Sequence, residues 1–219
     1  MGYGEDKMKF FILIPQLIFG GAEKVLASFS NYLVEQGNDV EIIEIYERGL
    51  IKDQFDPRVN ISAICSNEYT KKYYASISEI KEEKNCIRKI SKAGKLIFSK
   101  IVGYRRFAEY LSAKSYKGRH FDAAINYLEC DSPEFILKHI SADKYIQWIH
   151  TDVKNMDDPH GLDKYLPFYE KMDHIFCVSK SACASFIDMY PTLKDKTSIL
   201  YNFFDSEQII RKSKEPFEF

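Results

Sequence analysis

Apolar and polar positions change period several times along this chain. Phe10–Ile14 is an unbroken apolar run closed by Pro15, the pattern of a strand covered on both faces in a parallel sheet. From Ala22 the spacing turns helical: Val25, Leu26, Phe29, Tyr32 and Leu33 share a face, and Gly37 follows where a left-handed C-cap belongs. Asp39–Tyr46 and Val59–Cys65 read as the second and third strands, with a loop over Gly49–Pro57 between them. Strand, helix, strand at this spacing predicts a right-handed βαβ unit.

Ser66–Arg119 breaks the rhythm. Asn67–Tyr74 has no clear period, but from Asn85 a sustained helical stripe runs through Ile87, Ile90, Ala93, Ile97, Ile101, Tyr104, Ala108 and Leu111. Gly94 and Gly103 are positions where that helix can bend or split. Alternation then resumes. Phe121–Tyr127, Lys144–His150, His174–Val178 and Thr197–Tyr201 are predicted strands. Between them lie a helix opened by Ser132 as N-cap and running through His139, a loop at Asp157–Gly161 and a helix over Leu162–Met172. A last helix, capped by Ser179, runs through Met189. About seven strands alternating with helices predict a doubly wound, mainly parallel, Rossmann-like α/β sheet with one basic helical insertion over 66–119.

Composition narrows the class. The 219 residues are 45% hydrophobic and 29% charged, which suits one globular core rather than disorder. The net charge of −1 hides an uneven distribution. Glu68–Arg119 holds 14 Lys/Arg against 5 Asp/Glu, a local balance of +9 that leaves −10 for the rest of the chain. Five cysteines without C-x-x-C spacing are expected to be reduced and structural. The leader through Met8 lacks a signal-peptide core, and no apolar run approaches the roughly 20 residues of a membrane span. The expected location is cytoplasmic.

In a doubly wound sheet, ligands sit beyond the carboxyl ends of the strands at the switch in strand order. The residues at those ends are Gly20-Gly21, Tyr127-Leu128-Glu129, His150-Thr151-Asp152, Ser179 and Asn202. The glycine pair serves either a turn at positive φ or a close approach that a Cβ would block. The helix beginning at Ala22 points free N–H groups and a positive dipole end above the sheet. His150 at a strand end is the strongest candidate, as a hydrogen-bonding group in the cleft or a backbone positioner. Glu129 and Asp152 can accept from hydroxyl groups. No metal is expected, because His150, Asp152, Asp157, Asp158 and His160 match no ligand frame. QLIFGGAEK lacks the G-x-G-x-x-G spacing of a dinucleotide site, and no G-x-S-x-G elbow is present.

The basic stripe reads either as a solvated face or as a surface helix on anionic lipid. Arg88, Lys92, Lys95, Arg105 and Arg106 are the candidate membrane contacts. Nucleic acid is not an expected partner, since no recognition motif occurs and aromatics are not interleaved.

Several stretches in order resemble the N-terminal domain of the glycogen-synthase-like family-four glycosyltransferases of the GT-B fold. They are FFILIPQLIFGGAEKVL, NDVEIIEIY, FDAAINY, KYIQWIHTDV, DHIFCVSKSACASF and KTSILYNFFDSEQI. Asn202…Asp205 is similar to the family's N-G-[VI]-D element, with Phe203 where glycine is usual. The resemblance implies a Rossmann-like acceptor-side domain over 9–205, after a flexible leader over 1–8, and an exit segment over 206–219 leading toward a C-terminal donor domain. It implies retaining transfer from a nucleotide-diphosphate sugar, the co-substrate, to a polysaccharide or lipid-linked saccharide, with no separate cofactor. Residues matching Gly20 and Gly21 approach the donor phosphates and sugar, and the histidine matching His150 contacts the donor sugar. Alone, the chain is expected to be nearly inactive. The competing reading is a non-catalytic docking half of a split transferase that recruits a partner to the membrane.

Overall fold

The structure, a computed structural model, describes residues 7–73, 77–203, 210–211 and 213–214. Most of the expected leader, Asp205 and most of the exit segment 206–219 lie outside the described residues. Seven strands form one sheet in the order β3-β2-β1-β4-β5-β6-β7. They are β1 (Lys9–Ile14), β2 (Asp39–Tyr46), β3 (Asn60–Cys65), β4 (His120–Asn126), β5 (Ser141–Ile149), β6 (His174–Cys177) and β7 (Thr197–Ile199). Every neighbouring pair is parallel, so all seven carboxyl ends share one rim. The order reverses between β1 and β4, which puts the switch point beside the glycine loop.

β1 is central because both its faces are apolar. Phe11 and Leu13 enter one core, and Ile12 and Ile14 the other. The second core is closed by Leu26, Ala27, Leu33 and Val34 of α1 (Gly21–Glu35). The first is closed from the opposite side by α5 (Tyr104–Ala113), α6 (Glu134–His139), α7 (Leu166–Tyr169) and α8 (Lys180–Met189), through Ala108, Phe135, Ile136, Tyr169 and Phe186. The predicted fold class therefore holds. α1 ends as expected, with Gly37 at φ +88° and Asn38 N–H donating to the Leu33 carbonyl. The Ser179 hydroxyl accepts from the Ala182 N–H at 3.1 Å and starts α8.

Several local expectations are corrected. The unpatterned stretch after β3 forms α2 (Asn67–Tyr73) and is followed by α3 (Ile77–Glu82). The basic stripe splits at Gly103, φ +88°, into α4 (Cys86–Val102) and α5. The expected helix over Leu162–Met172 is a 3₁₀ helix over Pro159–Tyr165 followed by the single turn of α7. Pro167 explains the change, because its ring has no N–H to donate and clashes with the carbonyl four residues back. Pro133, not Ser132, occupies the N-cap of α6, while the Ser132 hydroxyl accepts from Glu134 N–H at 3.2 Å. β7 ends at Ile199 rather than Tyr201. All five cysteines are free; Cys65, Cys177 and Cys183 are buried, whereas Cys86 and Cys130 are exposed.

Candidate functional site

The loop joining β1 to α1 is fixed from below by a buried carboxylate. Glu44, fully buried in β2, accepts the backbone N–H groups of Leu17 (2.9 Å), Arg48 (3.1 Å) and Gly49 (3.1 Å), and pairs with Lys52 at 3.2 Å. Three main-chain donors and one cation compensate its burial. Neither Gly20 nor Gly21 has positive φ, so the turn explanation for the pair falls. At Gly20 a Cβ would stand 2.1 Å from a carboxylate oxygen of Glu23, the movable end of a side chain that folds back over it, so close approach accounts for this glycine only while Glu23 stays there. Gly21 differs. A Cβ on it would meet nothing within 4 Å among the described residues, so nothing described in the fold requires glycine there.

Across the switch point, Tyr127 follows β4. Its N–H donates to the Leu13 carbonyl at 2.9 Å, and its hydroxyl to the Ala22 carbonyl at 3.2 Å, tying the β4 exit to the first turn of α1. Its ring lies 4.6 Å from that of His150, and the Trp148 ring stacks on the same imidazole at 5.9 Å and 29°. The glycine loop and His150 therefore stand on one rim, linked through one tyrosine. The sequence shows Tyr127 only as a strand-end residue beside the switch; its link between the glycine loop and His150 depends on the fold.

Glu129 has a different role from the one its exposed-looking sequence suggests. It is buried, with one oxygen accepting the His150 N–H at 3.0 Å and the other accepting the Thr151 hydroxyl. The Tyr169 hydroxyl donates to its backbone carbonyl at 3.3 Å. Glu129 thus positions His150 and is not directed at an outside hydroxyl. Asp152 is partly engaged. The Asn155 amide donates to its Oδ2 at 3.0 Å, and neighbouring donors, Ser185 foremost, hold its carboxyl below the usual carboxylate range. Its Oδ1 is buried with no hydrogen-bond partner among the described residues.

His150 keeps one spare group. Its Nε2 is buried and has no hydrogen-bond partner among the described residues. Burial pushes the imidazole below its ordinary value against the opposing pull of Glu129 and the Tyr127 main chain, which favours the neutral ring. Trp148 Nε1 and Asn202 Oδ1 are likewise buried without partners among the described residues. Both residues line a pocket of about 300 Å³ with Phe29, Tyr32 and Tyr201. A larger groove of about 600 Å³ lies at the amino ends of the strands, lined by Lys9, Asp39, Arg58 and Arg119, on the wrong rim for these groups.

The basic candidates separate. Arg105 is half-buried and bidentate to Asp131 at 3.0 and 3.1 Å, with Glu109 at 2.8 Å, so it braces the loop carrying Glu129 and is removed from the lipid-facing set. Burial opposes its charge, but the two carboxylates more than offset that. Lys92 pairs with Glu83 at 2.8 Å. Arg88, Lys95 and Arg106 are exposed.

No protein-family model matches the chain, and no curated protein matches its sequence. Among solved structures it is similar to Anabaena Alr3699/HepE in complex with UDP and glucose. The identity is 11% and the TM-score 0.55, over 90% of this chain and 45% of that one. The fold is shared. This chain has the architecture of one Rossmann-like half of a GT-B-type molecule and spans less than half the length of HepE. At this identity the likeness carries the fold alone.

Proposed function

We propose that the chain is the acceptor-side half of a retaining glycosyltransferase that moves a sugar from a nucleotide-diphosphate donor to a polysaccharide or lipid-linked saccharide. One observation carries this reading. A buried imidazole nitrogen on His150, without a partner among the described residues, shares a rim with the start of α1, where the Glu23 carboxylate folds over Gly20 and Gly21 leaves room that the fold does not use. Main-chain N–H groups at the start of α1 favour negative charge and would stabilise the departing diphosphate. A neutral His150 would hydrogen-bond a sugar hydroxyl without placing a cation beside the reacting carbon. Glu129 and Thr151 hold it in place; Asn202 offers a carbonyl oxygen at the edge of the same rim. The ordered resemblance to the family-four enzymes supports the reading, as does a structural neighbour that holds UDP and glucose.

Half a cleft cannot close over a donor, so purified residues 1–219 given UDP-glucose and a saccharide acceptor should show no turnover. Saturable sugar transfer by this chain alone would overturn the half-site reading. The docking-half alternative is favoured by the outward apolar face of α4. Coexpression with a separate donor-domain chain separates the two, because activity restored only in the pair supports the split arrangement.

A further inference from the structure

α4 turns its apolar side away from the protein. Leu96 is its buried anchor, and the helix packs against α2, α3 and α5. Ile87, Ile90, Ile97 and Ile101 recur at spacings that place them on the opposite face, where they are 80%, 68%, 58% and 79% exposed. Gly94 falls within the same ridge. The helix contains five basic residues, Arg88, Lys89, Lys92, Lys95 and Lys100, and no acidic one. By helical position these lie between the ridge and the anchor, on both flanks.

We infer that α4 is an interfacial helix that lies flat on an anionic lipid bilayer, with the isoleucine ridge in the headgroup–acyl boundary and the lysine stems reaching back to the phosphates. Seventeen residues give about 25 Å of helix along the surface. Among the described residues no helix is long and apolar enough to cross a membrane, and five cations in α4 oppose burial of the whole helix. A second copy is the poorer occupant, because pairing two such helices sets five cations against five with no acid within either helix. Nucleic acid would match the charge and leave the ridge in water. A bilayer with anionic headgroups satisfies both.

The geometry connects this face to the rim. α5 begins directly after Gly103, and its Arg105 grips Asp131 in the loop that carries Glu129. A chain seated through α4 would hold its carboxyl rim near the lipid surface, where a lipid-carried acceptor resides. The lipid contact itself does not depend on the transferase reading.

The test is cosedimentation of the chain with vesicles of phosphatidylcholine alone and of phosphatidylcholine mixed with phosphatidylglycerol. Binding is expected to require the anionic lipid and to fall with added salt. Replacing Arg88, Lys89 and Lys100 with Gln should weaken it on the order of 100-fold. A variant with serine at positions 87, 90, 97 and 101 should not pellet, while its circular dichroism and urea midpoint match the parent. Equal pelleting with both vesicle types, or unchanged pelleting of the serine variant, would overturn the proposal. So would absence of lipid binding together with a dimer that the serine variant dissolves, since the ridge would then join two copies.

Discussion

Two helices of this chain carry apolar stripes of similar spacing and put them in opposite places. α1 presses Leu26, Ala27, Leu33 and Val34 into the sheet, where a continuous apolar face awaits them. α4 sits on other helices, roots itself through Leu96 and leaves four isoleucines in solvent. Periodicity marks a helix and its apolar side, but not what covers that side. The same division runs through the rim. Glu44 and Glu129 are used by the fold, whereas Gly21, His150 Nε2 and the α4 ridge are left over. Residues the fold uses should cost stability when changed; those it leaves spare should cost only binding.

The largest contrast is apolar. Leu26→Ala, at a fully buried site, should destabilise the chain by about 2–5 kcal/mol, whereas Ile90→Ala should stay within about 0.5 kcal/mol. Urea unfolding measures both. A comparable loss at Ile90 would mean that the ridge is part of the core.

Next comes the carboxylate under His150. Glu129→Ala leaves the His150 N–H and the Thr151 hydroxyl without their acceptor, which should cost about 1–3 kcal/mol and shift the imidazole resonances of His150. Unmoved resonances would show that Glu129 does not position the ring.

A pH series gives the third. Burial depresses the His150 value, so as pH falls the unfolded chain takes up that proton first. The stability that the neutral ring contributes is complete above the unfolded value of about 6.5 and declines as pH drops below it. The decline ends once the folded value is passed. Its slope should not exceed about 1.4 kcal/mol per pH unit, and His150→Gln should remove this limb from a series of urea midpoints. A limb that survives the substitution belongs to another group.

The smallest effect separates two glycines. Gly103→Ala must place a side chain at φ +88° and should cost about 1–2 kcal/mol, while Gly21→Ala, with open space and ordinary φ, should leave stability within about 0.5 kcal/mol. Destabilisation at Gly21 would give that glycine a structural purpose and weaken its assignment to a ligand.

Much of this architecture was legible in local pattern. The run Phe10–Ile14, the alternation at Phe121–Tyr127 and the Ser179 cap each state their element within a few residues. What stayed hidden depends on distant partners. α2 and α3 are short and without strong period, so tertiary packing rather than propensity forms them. The pinning of the glycine loop by Glu44, 27 residues from Leu17, cannot be read from either segment alone. Glu129 looks like a solvated loop carboxylate until the β5 end is folded against it. Arg105 looked like one more cation on a basic face until Asp131, 26 residues on, claimed it.

The most direct test of the rim is a nuclear magnetic resonance titration of the isotopically labelled chain with UDP-glucose. The signals to follow are the Gly20 and Gly21 amides and the His150 imidazole. The expected result is that all three move together along one binding curve, and that Gly21→Ala weakens the curve without changing stability. If they stay fixed while resonances elsewhere respond, or if His150 and the glycines follow separate curves, the two halves of the rim do not form one site.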